Sequence, residues 1–446
     1  MELPYGDTTI EASLPDCNVT VAEPPGGDPV EPREAAERAM ADPHGPPLAE
    51  RVSADDEVAI AVTDVTRATP DDVLVDALFS DLRAAGIDRE QVSIVVGLGL
   101  HRPMTDEELR TALGEYADIA HNHDADAARE VGTVEGPDGE SVPVELNPIV
   151  ADADAVISTG MVEPHQYAGF SGGAKTVAIG AGGESLVRYT HGPAMLAREG
   201  VRLGRVEGNP FRAMLDEAGD RIGLDFCLNV THGPAGFLGA SAGDHRDVVR
   251  DLSELCKRNI SVSLSNTYDA VVAGVGAPKD ANLYQATRAA TYVALGDYDP
   301  LASPARRAGD ASGEGDDSAA SGARSEPRDR GRLVVPARLQ EGAGEGTGER
   351  RFYDRLRGAE SAEALYDEMR RGYEPGAQRA FVVARVLRNY DIYVTNSEHP
   401  GVVEDCLMHA SGSVEDAIPK GSDVLVVPDA LDTLVVSDGP GNGFAR

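Results

Sequence analysis

The pattern that most constrains the fold is an alternation of short apolar runs with longer amphipathic segments. Residues 57–63 and 91–97 are apolar runs of strand length. Residues 70–85 and 105–116 have helical spacing. The first of these segments begins with a proline, and the second with a threonine followed three residues later by a glutamate, as in a capping box. Strands that alternate with helices in this way form parallel sheets covered by helices.

The same alternation returns in the second half of the chain, where residues 269–274 and Asp391–Thr395 read as strands. We therefore expect an α/β protein of two domains with mostly parallel sheets, divided into residues 1–262 and 263–446. Residues 303–330 are charged, low in complexity and almost without large apolar side chains. Such a segment cannot bury enough surface to offset the entropy of ordering, so we expect a disordered acidic insertion there.

The charge balance limits the partners of the chain. Its 446 residues include 76 acidic and 40 basic ones, which gives a formal net charge of −36. So acidic a surface suits a cytoplasm of very high salt, where self-repulsion is screened, and we interpret it as adaptation to a halophilic host. Nucleic acids and anionic membranes bind basic patches, so neither is expected as a partner. An anionic small molecule remains compatible with a local cluster of Arg and Lys.

Cysteine spacing and the length of apolar runs indicate the compartment. The four cysteines lie far apart and form no CxxC pair, which disfavours a zinc ribbon or a disulfide scaffold and fits a reducing cytosol. No run approaches the roughly 20 apolar residues of a membrane span, and the first residues lack the basic and apolar regions of a signal peptide. We therefore expect a soluble, cytoplasmic protein.

A glycine-rich stretch between two histidines, His165 and His191, is the strongest candidate for a site. It contains Lys175, one of only four lysines in the chain, shortly after the pair Gly172 and Gly173. Glycines let backbone N–H groups approach an anion, so the residue types favour phosphate binding combined with metal ligation. A mobile surface loop with solvated histidines explains the same residues about equally well.

Polar residues also follow each of the first three predicted strands. Asp64 and Arg67 follow the first strand, His101 follows the second, and His165 follows the third. Each residue alone is more readily explained as a turn, a cap or a hydrogen-bonded loop residue. Ligands of parallel sheets bind beyond the carboxyl ends of the strands, so three clusters at equivalent positions favour one shared site.

Five motifs resemble the lactate racemase family in order and spacing: DVTRATP, GLHRPMT, EPHQYAGFSGGAKT, the THG that contains His191, and NLYQATR. The resemblance extends over roughly residues 56–436, apart from the acidic insertion. It implies a racemase or epimerase that acts on lactate or a related 2-hydroxy acid. It also implies proton-coupled hydride transfer to and from a nickel-pincer nucleotide, the Ni(II) complex of pyridinium-3,5-bisthiocarboxylic acid mononucleotide.

The resemblance assigns the cofactor and the bases residue by residue. Lys175 matches the lysine that is joined covalently to the cofactor, and His191 matches the histidine that completes the coordination of nickel. His101 and His165 match the two acid/base catalysts on the two faces of the substrate. Two bases are chemically reasonable, because each enantiomer of the substrate presents its hydroxyl on a different side. Histidine suits this role because imidazole titrates near neutral pH.

Further residues complete the implied site. Asp64, with Gly172 and Gly173, is expected on the cofactor side. Arg67 is expected to orient the substrate carboxylate by charge-assisted hydrogen bonds. The second domain is expected to contribute substrate-binding residues across an interdomain cleft, and these residues are Tyr284, Gln285 and Arg288. Lactate racemases have a lysine where this chain has Arg288, a planar fork in place of a point charge, which leaves the identity of the hydroxy acid open.

Two other functions remain open from the residues alone. A hydrolase or lyase could hold zinc or manganese directly through His101, His165 and His191, in which case Lys175 would be dispensable. A non-catalytic protein could bind organic anions in a cleft between two domains. The expected partners of the racemase are a small 2-hydroxy acid and the proteins that mature its cofactor.

Overall fold

The computed structural model describes residues 1–99, 101–296, 298–301, 330–374 and 376–438. Apart from its last residue, Arg330, the segment expected to be a disordered insertion lies outside these described residues. The chain divides into two compact units, Pro25–Ile260 and a second one built from Met1–Pro24 with Ser261–Arg446.

The N-terminal segment belongs to the second unit, although the sequence-based division placed it in the first domain. It forms three strands: β1 (Glu2–Tyr5), β2 (Thr8–Glu11) and β3 (Asn18–Val21). Strand β3 pairs in parallel with the strand Asp423–Val427. This pairing joins strands some 400 residues apart in sequence and makes the first 24 residues part of the second unit.

The unit Pro25–Ile260 is built on a six-stranded sheet. Its strands are β4 (Val58–Val62), β5 (Val92–Val96), β6 (Ala120–Asn122), β9 (Ala155–Met161), β12 (Leu224–Gly233) and β13 (Gly236–Gly243). They lie in the order β13-β12-β9-β4-β5-β6, and only β13 runs antiparallel to its neighbour. Every residue of β4 is buried, as expected for a parallel strand covered on both faces. The prediction of a mostly parallel α/β sheet is confirmed.

Helices cover this sheet, and their ends follow from local sequence. The helices are α1 (Pro32–Ala41), α2 (Asp71–Ala84), α3 (Asp106–Leu113), α4 (Pro148–Asp152), α5 (Glu184–Thr190), α6 (Pro193–Leu196), α7 (Pro210–Ile222) and α8 (His245–Ile260). The predicted capping box is present at α3: the Glu108 amide donates to Thr105 Oγ1 over 3.2 Å, and the Thr105 amide donates to Glu108 Oε2 over 2.7 Å. Short helical turns lie at Leu48–Glu50, Arg89–Gln91, Gly114–Ile119, Ala125–Ala127 and, as a π-helical turn, Thr176–Gly180.

Two small antiparallel pairs lie outside the main sheet of this unit. They are β7 (Arg129–Glu135) with β8 (Ser141–Leu146), and β10 (Pro164–His165) with β11 (Gly169–Phe170). The second pair folds the segment that carries His165 back against the start of the glycine-rich stretch.

The second unit contains its own six-stranded parallel sheet. After β3, its strands are β15 (Ala270–Ala273), β16 (Arg332–Pro336), β17 (Asp391–Thr395), β18 (His409–Ser411) and β19 (Asp423–Val427), in the order β18-β17-β16-β15-β19-β3. A separate pair joins β14 (Ser261–Leu264) to β20 (Leu434–Ser437). Its helices are α9 (Leu283–Ala294), Thr347–Arg357, Ala362–Arg371, Gln378–Leu387, Pro400–Glu404 and Val414–Ala417. No helix among the described residues is long and apolar enough to cross a membrane.

Candidate active site

Polar side chains follow four neighbouring strands of the first sheet. Arg67 and Asp64 follow β4, His101 follows β5, Glu163 follows β9, and His232 lies near the end of β12. These strands are adjacent in the order β12-β9-β4-β5 and run parallel, so their carboxyl ends lie along one edge. Because neighbouring strands are about 4.8 Å apart, side chains from adjacent ends can touch.

Asp64 and His101 form the first of these contacts. Asp64 Oδ2 lies 2.6 Å from His101 Nδ1, and the other oxygen accepts hydrogen bonds from the Thr66 amide and hydroxyl at 3.1 and 2.5 Å. Burial alone would raise the pKa of Asp64, but the hydrogen bonds from His101 and Thr66 outweigh it and lower that pKa. The carboxylate therefore accepts the Nδ1 proton of His101 and leaves a lone pair on Nε2.

Arg67, Glu163 and His232 form a second chain of contacts. Arg67 Nη1 is ion-paired with Glu163 Oε1, and Glu163 Oε2 lies 3.3 Å from His232 Nε2. All three side chains are only partly exposed, at 28%, 23% and 31%. The arginine predicted to bind substrate is thus held by a glutamate of the EPH motif, which also contacts His232.

Lys175 lies close to these charges and is largely buried. Burial, followed by the positive charges of Arg67 and Arg212, lowers its pKa from 10.5 to about 7, and only Asp64 acts in the opposite direction. Within the part of the chain that the structure describes, its ammonium has no hydrogen-bond acceptor or ion-pair partner. A lysine in this setting is a nucleophilic free amine for much of its time at neutral pH.

The loop before Lys175 is fixed by the protein itself. Gly172 and Gly173 have φ of 78° and 59°, in the left-handed region that favours glycine. The Gly173 amide donates to Asn229 Oδ1 over 2.7 Å, so this N–H is not aimed at a ligand. Arg212, 2% exposed, donates to the carbonyl of Phe170 and, over 3.3 Å, to that of Gly172. Contact of the two glycines with a cofactor stays a prediction.

His191 ends helix α5 and has a defined tautomer. Its Nδ1 lies 3.1 Å from the carbonyl of Val187, which can only accept a hydrogen bond, so Nδ1 carries the proton. Burial and the neighbouring charge of Lys175 lower the pKa of His191 to about 4. The imidazole is therefore neutral at physiological pH, with a lone pair on Nε2, which is the form that binds a metal ion.

His165 lies in the same aromatic cluster as His191. Its ring contacts Tyr167 and Phe211 at centroid distances of 5.7 and 6.3 Å, and the His191 ring contacts the same two residues at 5.7 and 5.1 Å. His165 Nδ1 accepts hydrogen bonds from the amides of Tyr167 and Ala168 at 3.3 and 3.1 Å. The neutral ring therefore carries its proton on Nε2, the opposite arrangement to His101.

The remaining predicted residues belong to the second unit. Tyr284, Gln285 and Arg288 lie on α9, where Arg288 Nη1 donates to Gln285 Oε1 over 3.3 Å and Nη2 lies 3.3 Å from the hydroxyl of Tyr292. The side chains of Gln285 and Arg288 thus face the same way on one helix. Their contact with a substrate stays a prediction.

Sequence reasoning missed the roles of Glu163, Arg212 and His232 in holding this site. The order of the strands in the sheet was the missing information, since it makes the ends of β9 and β12 neighbours. In the described ranges, no three His, Cys, Asp or Glu side chains are close enough together to hold a metal ion. The geometry therefore gives no support to direct ligation of a metal by His101, His165 and His191.

Comparisons with known proteins agree with the motifs. A family model described as the lactate racemase N-terminal domain matches residues 5–204. The chain is 25% identical to the lactate racemase of Lactiplantibacillus plantarum, over 98% of this chain and 99% of that protein. It is also 25% identical to the lactate racemase of Thermoanaerobacterium thermosaccharolyticum, with the same coverage.

Solved structures share the fold. The lactate racemase apoprotein from Thermoanaerobacterium thermosaccharolyticum matches with a TM-score of 0.78 and 22% identity, over 98% of this chain and 99% of that one. A protein of Thermotoga maritima matches with a TM-score of 0.63 and 16% identity, over 93% and 100% of the two chains. The chain is thus similar to lactate racemases in sequence over nearly its whole length, and it shares the fold of a lactate racemase apoprotein.

Proposed function

We propose that the protein is an isomerase that racemises or epimerises a 2-hydroxy acid, lactate or a close relative. The observation that carries this proposal is Lys175, a largely buried amine with its pKa lowered to about 7 and no acceptor among the described residues. His191 lies close enough for the charge of Lys175 to lower its pKa, and Asp64, which contacts His101, acts on the charge of Lys175 in turn. The similarity to two proteins named lactate racemase supports the same activity.

The residues fit the nickel-pincer nucleotide implied by the family. Lys175 has the free amine that a covalent attachment requires, and His191 offers an Nε2 lone pair fixed by the Val187 carbonyl. With His191 as the imidazole ligand, the other metal donors would come from the cofactor, whose soft sulfur ligands suit Ni(II). When bound, this group would supply an electrophilic carbon able to accept and return a hydride.

His101 is the base of the proposed reaction. Asp64 accepts its Nδ1 proton, so Nε2 can take the proton of the substrate hydroxyl, and the carboxylate then stabilises the imidazolium that forms. The arrangement is that of a base oriented by a buried carboxylate, seen in many hydrolytic sites. Hydride departure from the α-carbon becomes feasible as the hydroxyl oxygen loses its proton.

In the proposed reaction the neutral ring of His165 faces the hydroxyl oxygen of the substrate with its proton on Nε2. It can therefore donate a hydrogen bond to that oxygen in the conformation observed here. To act as a base, its Nδ1 would need a proton, which the facing amides of Tyr167 and Ala168 oppose. Racemisation in both directions requires His101 and His165 to exchange the roles of base and acid. His165 can act as the base only if the amides of Tyr167 and Ala168 no longer donate hydrogen bonds to its Nδ1.

Arg67 is proposed to bind the substrate carboxylate. Its guanidinium has the planar geometry that carboxylates match. It lies close enough to Lys175 for its charge to lower the pKa of that lysine. We further propose that Tyr284, Gln285 and Arg288 complete substrate binding from the second unit. Arg288 in place of a lysine would adjust which hydroxy acid is accepted.

The setting of the enzyme is proposed on composition. Its net charge of −36 suits the cytoplasm of a halophilic host, where salt screens self-repulsion. Because the cofactor must be made and attached, proteins that mature it are the expected partners, beside the small hydroxy acid itself.

The test is stereochemical conversion by cofactor-loaded protein at high salt. Single enantiomers of lactate and of related 2-hydroxy acids and sugar acids should each become a mixture of two stereoisomers, measured by chiral chromatography. Mass spectrometry should locate the adduct on Lys175, and Lys175→Ala should lose both adduct and conversion, whereas Lys257→Ala should keep both.

Other outcomes would favour the alternatives. Full activity and full metal content in Lys175→Ala would indicate a metal-dependent hydrolase or lyase. Ligand binding that survives combined replacement of His101 and His165 by alanine, with no turnover by the native protein, would indicate an organic-anion-binding protein. Protein with stoichiometric nickel and adduct that converts none of the acids would refute the proposed activity.

A further inference from the structure

The row formed by His232, Glu163 and Arg67 is not explained by the chemistry described so far. The three residues come from adjacent strand ends, those of β12, β9 and β4. Glu163 is the central member, with one carboxylate oxygen on Arg67 Nη1 and the other 3.3 Å from His232 Nε2. An ionised carboxylate only accepts hydrogen bonds, so His232 donates from Nε2.

The backbone of Glu163 is fixed as firmly as its side chain. Its amide donates to Ser171 Oγ over 3.0 Å, and its carbonyl accepts from the Ser171 amide over 2.9 Å. The Ser171 hydroxyl in turn donates to the carbonyl of Met161 over 2.6 Å. On the neighbouring strand, Thr231 Oγ1 donates to the carbonyl of Val162 over 2.6 Å. The carboxylate of Glu163 therefore has a defined direction.

The partial burial of this row strengthens the electrostatic contacts between its three side chains. The side chains of Arg67, Glu163 and His232 are 28%, 23% and 31% exposed, so solvent screens their charges less than on an open surface. Arginine has a long, flexible stem and loses much rotamer entropy when it binds a ligand. A guanidinium that is already held at one corner loses less of that entropy on binding.

We propose that Glu163 and His232 are positioning residues that hold Arg67 ready for the carboxylate of the substrate. His232 directs the carboxylate of Glu163, and Glu163 fixes the guanidinium at Nη1. In this role both residues act through Arg67, which lies between the negative charge of Glu163 and that of the bound carboxylate. This inference rests on the proposed function, since it gives Arg67 a carboxylate to bind.

The test compares steady-state constants of cofactor-loaded variants with lactate or the best acid found. Glu163→Gln removes the charge but keeps the shape, and it should raise KM about ten- to hundredfold, since a hydrogen bond between charged groups is lost. The value of kcat should stay within about threefold, because uniform binding is what is lost. His232→Ala should raise KM severalfold, and His232→Gln should restore it, because its amide N–H can replace the Nε2 donor.

His44→Ala is the matched control. His44 also pairs with a carboxylate in the same unit, Asp251 at 3.6 Å, and its side chain is 37% exposed. This variant should keep the native KM and kcat. Thermal unfolding of all variants identifies any that fail to fold, and if Glu163→Gln is among them the two His232 variants decide the matter.

Each remaining outcome contradicts the inference. Unchanged KM in the Glu163 and His232 variants, as in the control, would mean that the row is only structural. A large fall of kcat at constant KM in Glu163→Gln would place Glu163 in the chemistry itself. Equal KM values in His232→Ala and His232→Gln would refute the proposal that the hydrogen bond donated by His232 orients Glu163. Native protein that turns over no hydroxy acid would refute the proposed function, and this inference with it.

Discussion

The free amine of Lys175 can be tested before any cofactor is attached. Burial and the charges of Arg67 and Arg212 lower its pKa from 10.5 to about 7. At pH 7 about half of the Lys175 side chains would then be neutral, against roughly 0.04% for a lysine with the usual pKa near 10.4. The population of the nucleophilic form thus rises by more than about a thousandfold, which is the difference that covalent attachment at neutral pH would use.

The assay is competitive acetylation of cofactor-free protein across pH 6 to 11, with each lysine quantified by mass spectrometry. The relevant quantity is the pH at which the rate for Lys175 reaches half of its maximum, because burial slows the reagent at every pH. Lys420, 87% exposed and paired with Asp16, serves as a reference for unhindered access. Lys175 should show its half-maximum near pH 7.

Two charge variants test the cause of the shift. Arg212→Met and Arg67→Met each remove a positive charge that disfavours the ammonium form, so each should move the half-maximum of Lys175 to higher pH. Arg250→Met removes a surface arginine paired with Asp247 and should leave it unchanged. A half-maximum near pH 10 in the native protein would refute the reasoning, and so would the absence of any shift in both charge variants.

Two further predictions concern carboxylates. Burial raises the pKa of Asp71 to about 7 despite hydrogen bonds from Thr159 and Thr63. The folded state therefore binds more protons than the unfolded state between about pH 4 and 7. Because of this difference, the free energy of unfolding falls as pH rises through that window. Asp71→Asn should therefore gain stability relative to the native protein at pH 8, measured by urea unfolding at fixed salt, and the gain should shrink towards pH 4; a constant difference would contradict this. Asp64→Asn should lower kcat by about a hundredfold or more, because the tautomer of His101 is no longer fixed, and an unchanged kcat would exclude that role.

Local sequence patterns predicted the elements that carry the site. The apolar run ending near Val62 became β4, and the Thr105 capping box begins α3 as expected, because both depend on neighbouring residues only. His123 shows where local reading fails. The polar residues around it, HNHD, are typical of a solvated loop, but it is 4% exposed and its Nε2 lies 2.9 Å from the carbonyl of Gly182.

Partners distant in sequence could not be predicted, because they depend on the order of the strands. Glu163 and His232 are 69 residues apart and meet only because β9 and β12 are neighbours. The pairing of β3 with β19 is an extreme case of the same kind. The motifs thus identified the reactive side chains, whereas the residues that hold them became apparent only with the sheet assembled.

The distribution of charges around the site is the one expected for a lysine that reacts as a free amine. In a chain with 76 acidic and 40 basic residues, a carboxylate partner is easily supplied. Arg67 has Glu163, His101 has Asp64, and Arg212 has Asp216 at 3.5 Å. One member of each pair, Arg67, Asp64 and Arg212, acts on the charge of Lys175, yet no carboxylate in the described part of the chain contacts its ammonium. A carboxylate partner would stabilise a lysine whose role is structural. The same partner would raise the pKa of a lysine that must attack as a free amine, and would so reduce its reactivity.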